Sequence, residues 1–494
     1  MSNIFNWSRR MLWAVCIASF AVTLWVRFDL VARHVQDIGS AEDNMMHGFQ
    51  RILLGQPLYG DPEAPPFPII QYAPLQYYSV ALIAKVLGFG AYDVQPIYMI
   101  SRVFCLLCDL VACWVLFRIC RKLKMPPLAG FGAVVLLFTW LHELYWSRPD
   151  SPFLLFFLLH VEAMLSLLGD PSRASTWKRV AWPAFTGAMC LFAKQSGLEI
   201  PLIDAVVLVM ARQWRTLFHS AAQFYAWGIV FCIIIQLESG LPNAYKNLVL
   251  GNANGTDYAM FMDSWKSPFF LVGAGWTIAA LVCARWLPRQ EQPMISRYLF
   301  FGSLIALAWA LITGSKRGSN ANYFLEHYVF CWLVCGFALS SIDRAAITVR
   351  ILAALLGTTV ALRALLFWWG LMHHDYRPDD PVAYNEAKEL RGQLIAHGLK
   401  QGDWIWFTRD CFGEQFLAEH VLLQERIIYM LCGSDLPLDH SEFERMLARG
   451  DVRYVIKRPP KLFFVNDDTP PATFTERFRV GAYTVYEFTG ATAH

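Results

Sequence analysis

The chain has 494 residues, of which 56% are hydrophobic and only 16% are charged, with a net charge of +3. Soluble globular proteins carry roughly 25% charged residues, so this composition excludes an ordinary soluble protein. The small net charge gives no indication of nucleic-acid binding. Apolar runs of about 17 residues or more recur along most of the chain, which predicts a polytopic α-helical membrane protein.

The apolar runs predict about eleven membrane-spanning helices. The first run follows Arg9 and Arg10, and no small-residue cleavage site comes after it, so we expect an uncleaved signal anchor. Residues 75–89 form a shorter apolar run that contains Lys85, which predicts a helix lying on the outer surface. The predicted spans are residues 11–30, 97–119, 129–145, 152–168, 180–193, 198–210, 221–237, 269–283, 298–313, 325–342 and 351–372.

Clusters of Lys and Arg set the orientation of these spans. The basic residues recur in alternate loops, and placing them all in the cytoplasm agrees with a cytoplasmic N-terminus. The outer face then receives the first outer loop, residues 31–95, and everything after residue 372. We therefore expect a membrane domain of residues 1–372 that precedes an extracytoplasmic tail of residues 373–494.

The tail differs in character from the rest of the chain, because its charge rises and helix and strand signals alternate. We predict strands at residues 403–408 and 452–457, helices at 381–397 and 441–449, and a hairpin of 474–480 with 483–488. These elements indicate a small α/β domain, and it carries no nucleotide-binding fingerprint. Cys411 and Cys432 lie in the tail and suit a disulfide or two free thiols equally well.

Several charged residues lie at the predicted outer edge of the membrane, where charge is costly unless it is solvated, paired or used. A carboxylate there can take the proton of an attacking hydroxyl, and cations can neutralise a departing phosphate. This pattern suits sugar transfer from a lipid-linked phosphate. The residues are Glu42, Asp43, Arg148, Asp150, Lys194, Lys316 and Arg317.

Most of these residues also have an ordinary structural explanation. Glu42 and Asp43 suit the first turn of a following helix, where carboxylates are favoured. Arg148 and Asp150 suit a helix start with a local ion pair. Lys194 differs, because a lysine at a tight outer turn between two apolar runs is more often functional.

Other candidates carry weaker signals. Lys85 suits a solvated lysine whose stem lies along apolar surface. His47 lies one helical turn after Asp43, which is weak evidence for a metal site, so no cofactor is certain and a divalent metal stays open. A position in an ordinary loop, with no functional role, is an equally good explanation for Asn320, Asn322 and Tyr323.

Five short motifs, in this order, resemble the GT-C superfamily of polyprenyl-phosphate-sugar-dependent glycosyltransferases. The similarity is greatest to the bacterial relatives of protein O-mannosyltransferases and to the aminoarabinose-to-lipid A transferase. The motifs are Glu42-Asp43 with Gln50-Arg51-Ile52-Leu53 and Gly55, Tyr72 to Tyr78 with Gly88 and Arg102, Ser147-Arg148-Pro149-Asp150, Lys194-Gln195-Ser196-Gly197, and Gly318 to Phe324.

The resemblance implies an inverting glycosyltransferase of the bacterial inner membrane, with its tail in the periplasm. It implies a polyprenyl-phosphate-sugar donor, surrounding membrane lipids, and a lipid, glycan or protein acceptor. Two departures matter. The family usually has Asp-Glu where this chain has Glu42-Asp43, so either carboxylate is a candidate base, and Tyr72 stands where the family often has a lysine.

The expected roles follow from the motifs. Carboxylates with a catalytic role are Glu42, Asp43 and Asp150. Cations that would bind the donor phosphate are Arg148, Lys194, Lys316, Arg317 and Lys85. Residues that would contact substrate are Tyr72, Tyr77, Gln195, Asn320, Asn322 and Tyr323.

Three other functions stay open from the sequence. A transporter or flippase for a polar lipid would favour charges buried within spans and Gly- or Pro-broken helix pairs in related halves. Few charges fall within the predicted spans, Asp109 and Asp204 being the exceptions, and no related halves are visible. A non-catalytic envelope scaffold would tolerate loss of the carboxylates. A GT-C-like protein that has lost activity would fit the inverted motif.

Overall fold

The structure is a computed structural model that describes residues 2–35, 42–140, 148–169, 176–253, 255–264, 268–288, 291–317, 319, 321–341, 359, 379–408, 412–423, 437–458 and 473–490. Several predictions lie outside the described residues and stay predictions. They concern Asn320, Cys411, Cys432 and, apart from residue 359, the span at residues 351–372.

The described part is mainly helical. Its helices are α1 (Ser2–Ala32), α2 (Glu42–Leu53), α3 (Leu75–Val86), α4 (Val94–Lys122), α5 (Pro127–Trp140), α6 (Asp150–Leu168), α7 (Trp177–Ala193), α8 (Glu199–Met210), α9 (Trp214–Glu238), α10 (Leu241–Leu248), α11 (Tyr258–Ser264), α12 (Pro268–Cys283), α13 (Pro293–Gly314), α14 (Leu325–Ser341), α15 (Pro381–Ala396), α16 (Phe412–Phe416) and α17 (Ser441–Arg449).

Within the described residues, six helices are long and apolar enough to cross a membrane, which confirms a multi-pass helical membrane protein. The predicted number of spans is not confirmed. Helix α7 has 17 residues with Pro183 inside, and α8 has 12, so each is shorter than the ~20 residues that cross a bilayer core. The six helices are Arg10–Ala32, Val94–Lys122, Asp150–Leu168, Trp214–Glu238, Pro293–Gly314 and Asn322–Ser341.

Helix α3 has the character expected of a helix on the membrane surface. It has 12 residues, too few to cross a bilayer core. Leu82, Val86 and the following Leu87 are exposed together with Lys85, which gives the helix an apolar face that ends in a cation.

The chain divides into two compact units. The first unit consists of Met1–Leu30, Val103–Cys232 and Thr256–Tyr376, and the second of Val31–Arg102, Ile233–Gly255 and Arg377–His494. The domain boundary that we predict at residue 372 lies outside the described residues and stays a prediction.

In the first unit, two charges that the sequence places within spans have buried partners. Arg27 Nη2 lies 2.6 Å from Asp109 Oδ2, and the Ser151 hydroxyl donates to the same oxygen at 3.1 Å. His160 Nε2 lies 3.1 Å from Asp204 Oδ2. Because a lone charge in such an interior is strongly unfavourable, these contacts hold α1, α4 and α6 together, and α6 with α8.

The second unit contains a five-stranded sheet in the tail. Its order is β2-β1-β3-β5-β4, with β1 parallel to β2 and β3, and β5 antiparallel to β3 and β4. This confirms the small C-terminal α/β fold, with two short elements, β2 and α16, that the sequence analysis missed. The strands are β1 (Trp404–Phe407), β2 (Val421–Leu422), β3 (Val452–Lys457), β4 (Phe474–Val480) and β5 (Tyr483–Phe488).

The first outer loop contributes to the core of this sheet domain. Phe67 is fully buried and packs in one apolar cluster with Leu422, Phe443 and Val455. The backbone N–H of Leu423 donates to the Pro66 carbonyl at 3.0 Å. The first loop and the tail therefore fold as one unit, although more than 300 residues separate them in the sequence.

We expect Asp109→Ala to lower the free energy of unfolding by about 3–5 kcal/mol, because it leaves the Arg27 guanidinium buried without this carboxylate. The double variant Arg27→Met/Asp109→Leu should be more stable than Asp109→Ala, since both charges are then gone. Thermal unfolding in detergent measures both, with the exposed Glu389→Ala as control. A double variant less stable than the single one would contradict the assignment.

Candidate active site

The predicted acidic motif begins helix α2 and is buried. Ten consecutive residues of the helix, Glu42 to Arg51, lie in the interior of the second unit. Glu42 and Asp43 occupy the first turn, where the helix dipole favours negative charge. A carboxylate in such a place still requires donors, because burying it without partners is costly.

Arg102 of α4 supplies the donors for Glu42. Arg102 Nε lies 3.0 Å from Glu42 Oε1, and Nη2 lies 2.8 Å from Oε2, which is a two-pronged ion pair. Arg102 Nη1 and Nη2 also donate to the carbonyls of Arg33 and Val35 at 3.0 and 2.7 Å. Glu42 is fully buried, so this carboxylate is fixed and withdrawn from solvent.

Asp43 has a different environment. Its Oδ1 accepts hydrogen bonds from the Tyr98 hydroxyl at 3.0 Å and from Gln415 Nε2 at 2.6 Å. The donors in these two contacts are neutral, and 7% of Asp43 stays exposed.

Tyr77, which the resemblance assigns to substrate contact, is fully buried between α2 and α3. Its hydroxyl donates to Asn44 Oδ1 at 2.6 Å, and Asn44 Nδ2 donates to the Ile69 carbonyl at 2.8 Å. Its ring lies against Gly48, where an added Cβ would come within 2.2 Å of the ring. Tyr77 thus fixes the packing of α2. In the same loop, the Tyr72 carbonyl accepts a hydrogen bond from the Tyr59 hydroxyl at 3.0 Å.

His47 lies one turn after Asp43 and is buried. Its Nε2 is 3.7 Å from Glu414 Oε2, too far for a hydrogen bond, and within the described residues neither ring nitrogen has a hydrogen-bond partner. Burial, together with the Arg51 guanidinium, lowers the pKa of His47 to about 4. The imidazole is therefore neutral at physiological pH.

A second cluster surrounds Asp150 in the first unit. Asp150 Oδ1 accepts from Lys194 Nζ at 2.6 Å and from Asn322 Nδ2 at 2.8 Å, and Arg148 Nε lies 3.7 Å from Oδ2. Lys194 Nζ also lies 4.6 Å from the centre of the Tyr323 ring, a cation–π distance. Five of the predicted site residues thus meet here.

The chain reaches this arrangement through a break between α7 and α8. Lys194 has an extended backbone between α7 and the 3-10 turn Gln195–Leu198. Gly197 is required in that turn, because a Cβ there would lie 2.5 Å from the Cys190 backbone. Gln195 begins the turn and is half-buried.

Lys194 is charged although it is buried. Burial alone would lower its pKa, but the carboxylate of Asp150, with a smaller effect from Glu326, raises the pKa above the ordinary lysine value. Arg148 and Lys194 thus place two cations beside the Asp150 carboxylate, and Glu326 adds a further carboxyl group near Lys194. Such a cluster can bind an anion with two or more ionised oxygens.

Three further cations were predicted to contact the donor phosphate. Lys85 is exposed on α3. Lys316 is also exposed, and its backbone forms an isolated bridge with Thr256. Arg317 is half-buried. Their assigned phosphate contacts stay predictions.

The sequence analysis gave no role to several residues that complete these two clusters. Arg102 and Tyr98 could have been found, because they lie four residues apart on one helix and thus share a face. Gln415 could not, since 372 residues separate it from Asp43. Glu199 and Glu326, buried at the first turns of α8 and α14, were also missed.

A metal site was left open above. Within the described ranges, His, Cys, Asp and Glu form no group of three or more that could hold a metal ion.

Neither a protein-family model nor a curated protein sequence matches the chain. Solved structures do match it. The chain is similar to ArnT from Cupriavidus metallidurans bound to undecaprenyl phosphate, with TM-score 0.59 and 12% identity over 96% of this chain and 97% of that one. It is also similar to the oligosaccharyltransferase of Archaeoglobus fulgidus in complex with Zn and sulfate, with TM-score 0.58 and 12% identity over 90% and 68%.

A further match is the same archaeal enzyme, AglB, in complex with an inhibitory peptide and a dolichol-phosphate, with TM-score 0.57 and 10% identity over 90% and 69%. These likenesses confirm the GT-C resemblance at the level of the fold. The chain is a multi-pass helical membrane protein with a fold like that of ArnT.

We expect the stability of the folded protein to fall as the pH drops from about 6.5 to about 4, because the unfolded chain then protonates His47 while the folded chain does not. The loss at the acid end is about 3 kcal/mol. Thermal unfolding in detergent between these pH values measures stability against pH, and this dependence should be weaker in His47→Leu than in wild type. The exposed His397→Gln should keep the wild-type slope, and an unchanged slope in His47→Leu would show the expectation to be wrong.

Proposed function

We propose that the chain is an integral-membrane glycosyltransferase that transfers a sugar from a polyprenyl-phosphate donor to an extracytoplasmic acceptor. The observation that carries the proposal is the hydrogen-bonded carboxylate of Asp43 at the start of α2, in a chain with the fold of ArnT. Undecaprenyl phosphate in the ArnT structure and dolichol-phosphate in the AglB structure support the class of lipid carrier.

Asp43 is the proposed general base, and Glu42 is the proposed structural partner. A base must be able to change its protonation state during the reaction. Glu42 is held by two hydrogen bonds to a guanidinium, which strongly favours the ionised form and leaves its oxygens engaged. Asp43 accepts hydrogen bonds from the neutral Tyr98 hydroxyl and Gln415 amide, and such donors stabilise an ionised carboxylate less than a guanidinium does.

The Asp150 cluster is the proposed site for the donor phosphate. Lys194 and Arg148 supply the cations, while Asn322 adds an amide donor. Asp150 keeps Lys194 charged and oriented, as a bound carboxylate does for a buried lysine. A phosphate that arrives would then share the Lys194 ammonium with Asp150.

The proposed reaction balances without a further reactant. The acceptor hydroxyl oxygen attacks the anomeric carbon while Asp43 removes its proton. The bond from that carbon to the phosphate oxygen breaks, and the phosphate leaves with both electrons. Because the lipid phosphate is already a good leaving group, the cations need only stabilise its growing negative charge. Attack opposite to the leaving group inverts the anomeric centre.

We expect Asp43→Asn to lower sugar transfer by about 10²–10⁴-fold, because it removes the proton acceptor. The measurement is transfer of a labelled sugar from polyprenyl-phosphate donors in membranes that contain the chain. Glu42→Gln should reduce the yield of folded protein more than the specific activity. Asp93→Asn, an exposed carboxylate of the same loop, is the control and should retain wild-type transfer.

Two outcomes would count against this proposal. Full transfer by both single variants and by the double variant Glu42→Gln/Asp43→Asn would remove the base from α2. Absence of transfer by the wild type across several donor sugars and acceptors would favour a lipid transporter or a scaffold.

We expect Lys194→Met to raise KM for the polyprenyl-phosphate donor by about tenfold or more, because a cation that contacts phosphate is lost. Lys194→Arg should retain most of the affinity, since it keeps the charge. Inhibition by free undecaprenyl phosphate provides a second measurement and should weaken in parallel. The exposed Lys388→Met is the matched control, and unchanged KM and inhibition in Lys194→Met would exclude the phosphate role.

A further inference from the structure

The C-terminal domain reaches helix α2 along one helical face. Asp43, His47 and Gln50 are spaced by four and three residues, so their side chains lie on the same side of α2. All three contact the short helix α16 of the tail. These contacts lie within the second unit, which contains both the first outer loop and the tail.

The individual contacts are close and buried. Gln415 Nε2 donates to Asp43 Oδ1 at 2.6 Å and also contacts the Tyr98 hydroxyl. Gln50 Nε2 donates to the Gln415 carbonyl at 2.5 Å, and Glu414 Oε2 lies 3.7 Å from His47 Nε2. Gln415 is 1% exposed, so its amide has no freedom to turn toward solvent.

The chemistry of the amide fixes its orientation. A carboxylate oxygen can only accept, so the NH₂ end of Gln415 must face Asp43. With the Tyr98 hydroxyl on the same oxygen, Oδ1 of Asp43 receives two donors. Two donors on one oxygen determine the rotation of the carboxyl group and thereby the direction of its second oxygen.

We propose that Gln415 of the C-terminal domain is a positioning residue that orients the Asp43 carboxylate, so that the tail domain is a working part of the active site. This inference rests on the proposed function of Asp43 as base. It gives the tail a role in the chemical step. The contact works through Asp43, and Gln415 itself touches no reacting atom.

Loss of the hydrogen bond from Gln415 should change the pH at which Asp43 is protonated. Donors to a carboxylate stabilise its ionised form, so removing one moves protonation to higher pH. Among the described residues, the charged and titratable groups near Asp43 include the Glu42–Arg102 pair and, one turn along α2, His47 with Glu414. None of them is altered by a change at residue 415.

The test compares Gln415→Leu and Gln415→Glu with wild type and with Gln393→Leu, an exposed glutamine of α15. The acid limb of the pH–kcat profile should move up by about one pH unit in Gln415→Leu. It should move further in Gln415→Glu, which has the same size and shape but adds a like charge. The KM for the donor should stay unchanged, and Gln393→Leu should match wild type.

A lower kcat with an unmoved acid limb in both Gln415 variants would overturn the proposal, because a purely structural role has that result. A second measurement does not depend on activity. Infrared difference titration should show a carboxyl band that is lost in Asp43→Asn, and its midpoint should be higher in Gln415→Leu than in wild type. If the wild type transfers no sugar, the proposed function fails, while this midpoint still decides whether Gln415 controls Asp43; equal midpoints would exclude it.

Discussion

The ion pair between Arg102 and Glu42 is the interaction on which the arrangement of the acidic motif depends. Both groups are buried, where a charge without a partner is strongly unfavourable. Arg102 also donates to the backbone just after α1, at Arg33 and Val35. The start of α2 is thus fixed to α4, and Asp43, as the next residue, has its position fixed with it.

The same constraint explains how a multi-pass protein tolerates charge in its interior. Asp109 and Asp204, the two carboxylates that lie within predicted spans, are bound to Arg27 and His160. A side chain that binds a transported substrate must release its own hydrogen-bond partner to do so. These two pairs instead connect neighbouring helices through short direct contacts. They are therefore explained as helix-to-helix connections, so the few charges within the predicted spans give a transporter no further support. Asp150 differs because more than one cation surrounds it.

Much of the fold could be predicted from the sequence, and the reasons are local. In the tail, the strand at 452–457, the helix at 441–449 and the hairpin at 474–488 agree with the structure. Their boundaries coincide with Gly450 and Gly481, which adopt positive φ. The sequence does not decide whether the apolar runs at 180–193 and 198–210 cross the membrane, because periodicity alone does not distinguish a short membrane span from a buried helix.

The candidate site could be predicted only in part, for a different physical reason. Short motifs identify residues whose chemistry suits a reaction, so Glu42, Asp43, Asp150 and Lys194 were found. The environment that distinguishes them comes from distant segments. Gln415 lies in a five-residue helix, which is too short to show hydrophobic periodicity in the sequence. Its hydrogen bond to Asp43 forms only when the tail has folded against the first outer loop.

The inverted order of the two carboxylates fits these environments. Glu42 must reach a guanidinium with both oxygens, and its longer side chain allows the two-pronged contact. Asp43 accepts hydrogen bonds from Tyr98 and Gln415. Its side chain is shorter than that of glutamate, so it loses less conformational entropy when it is fixed, and the direction of its carboxylate is better defined. In the proposed mechanism the first carboxylate of the motif serves the fold, and the second acts as the base.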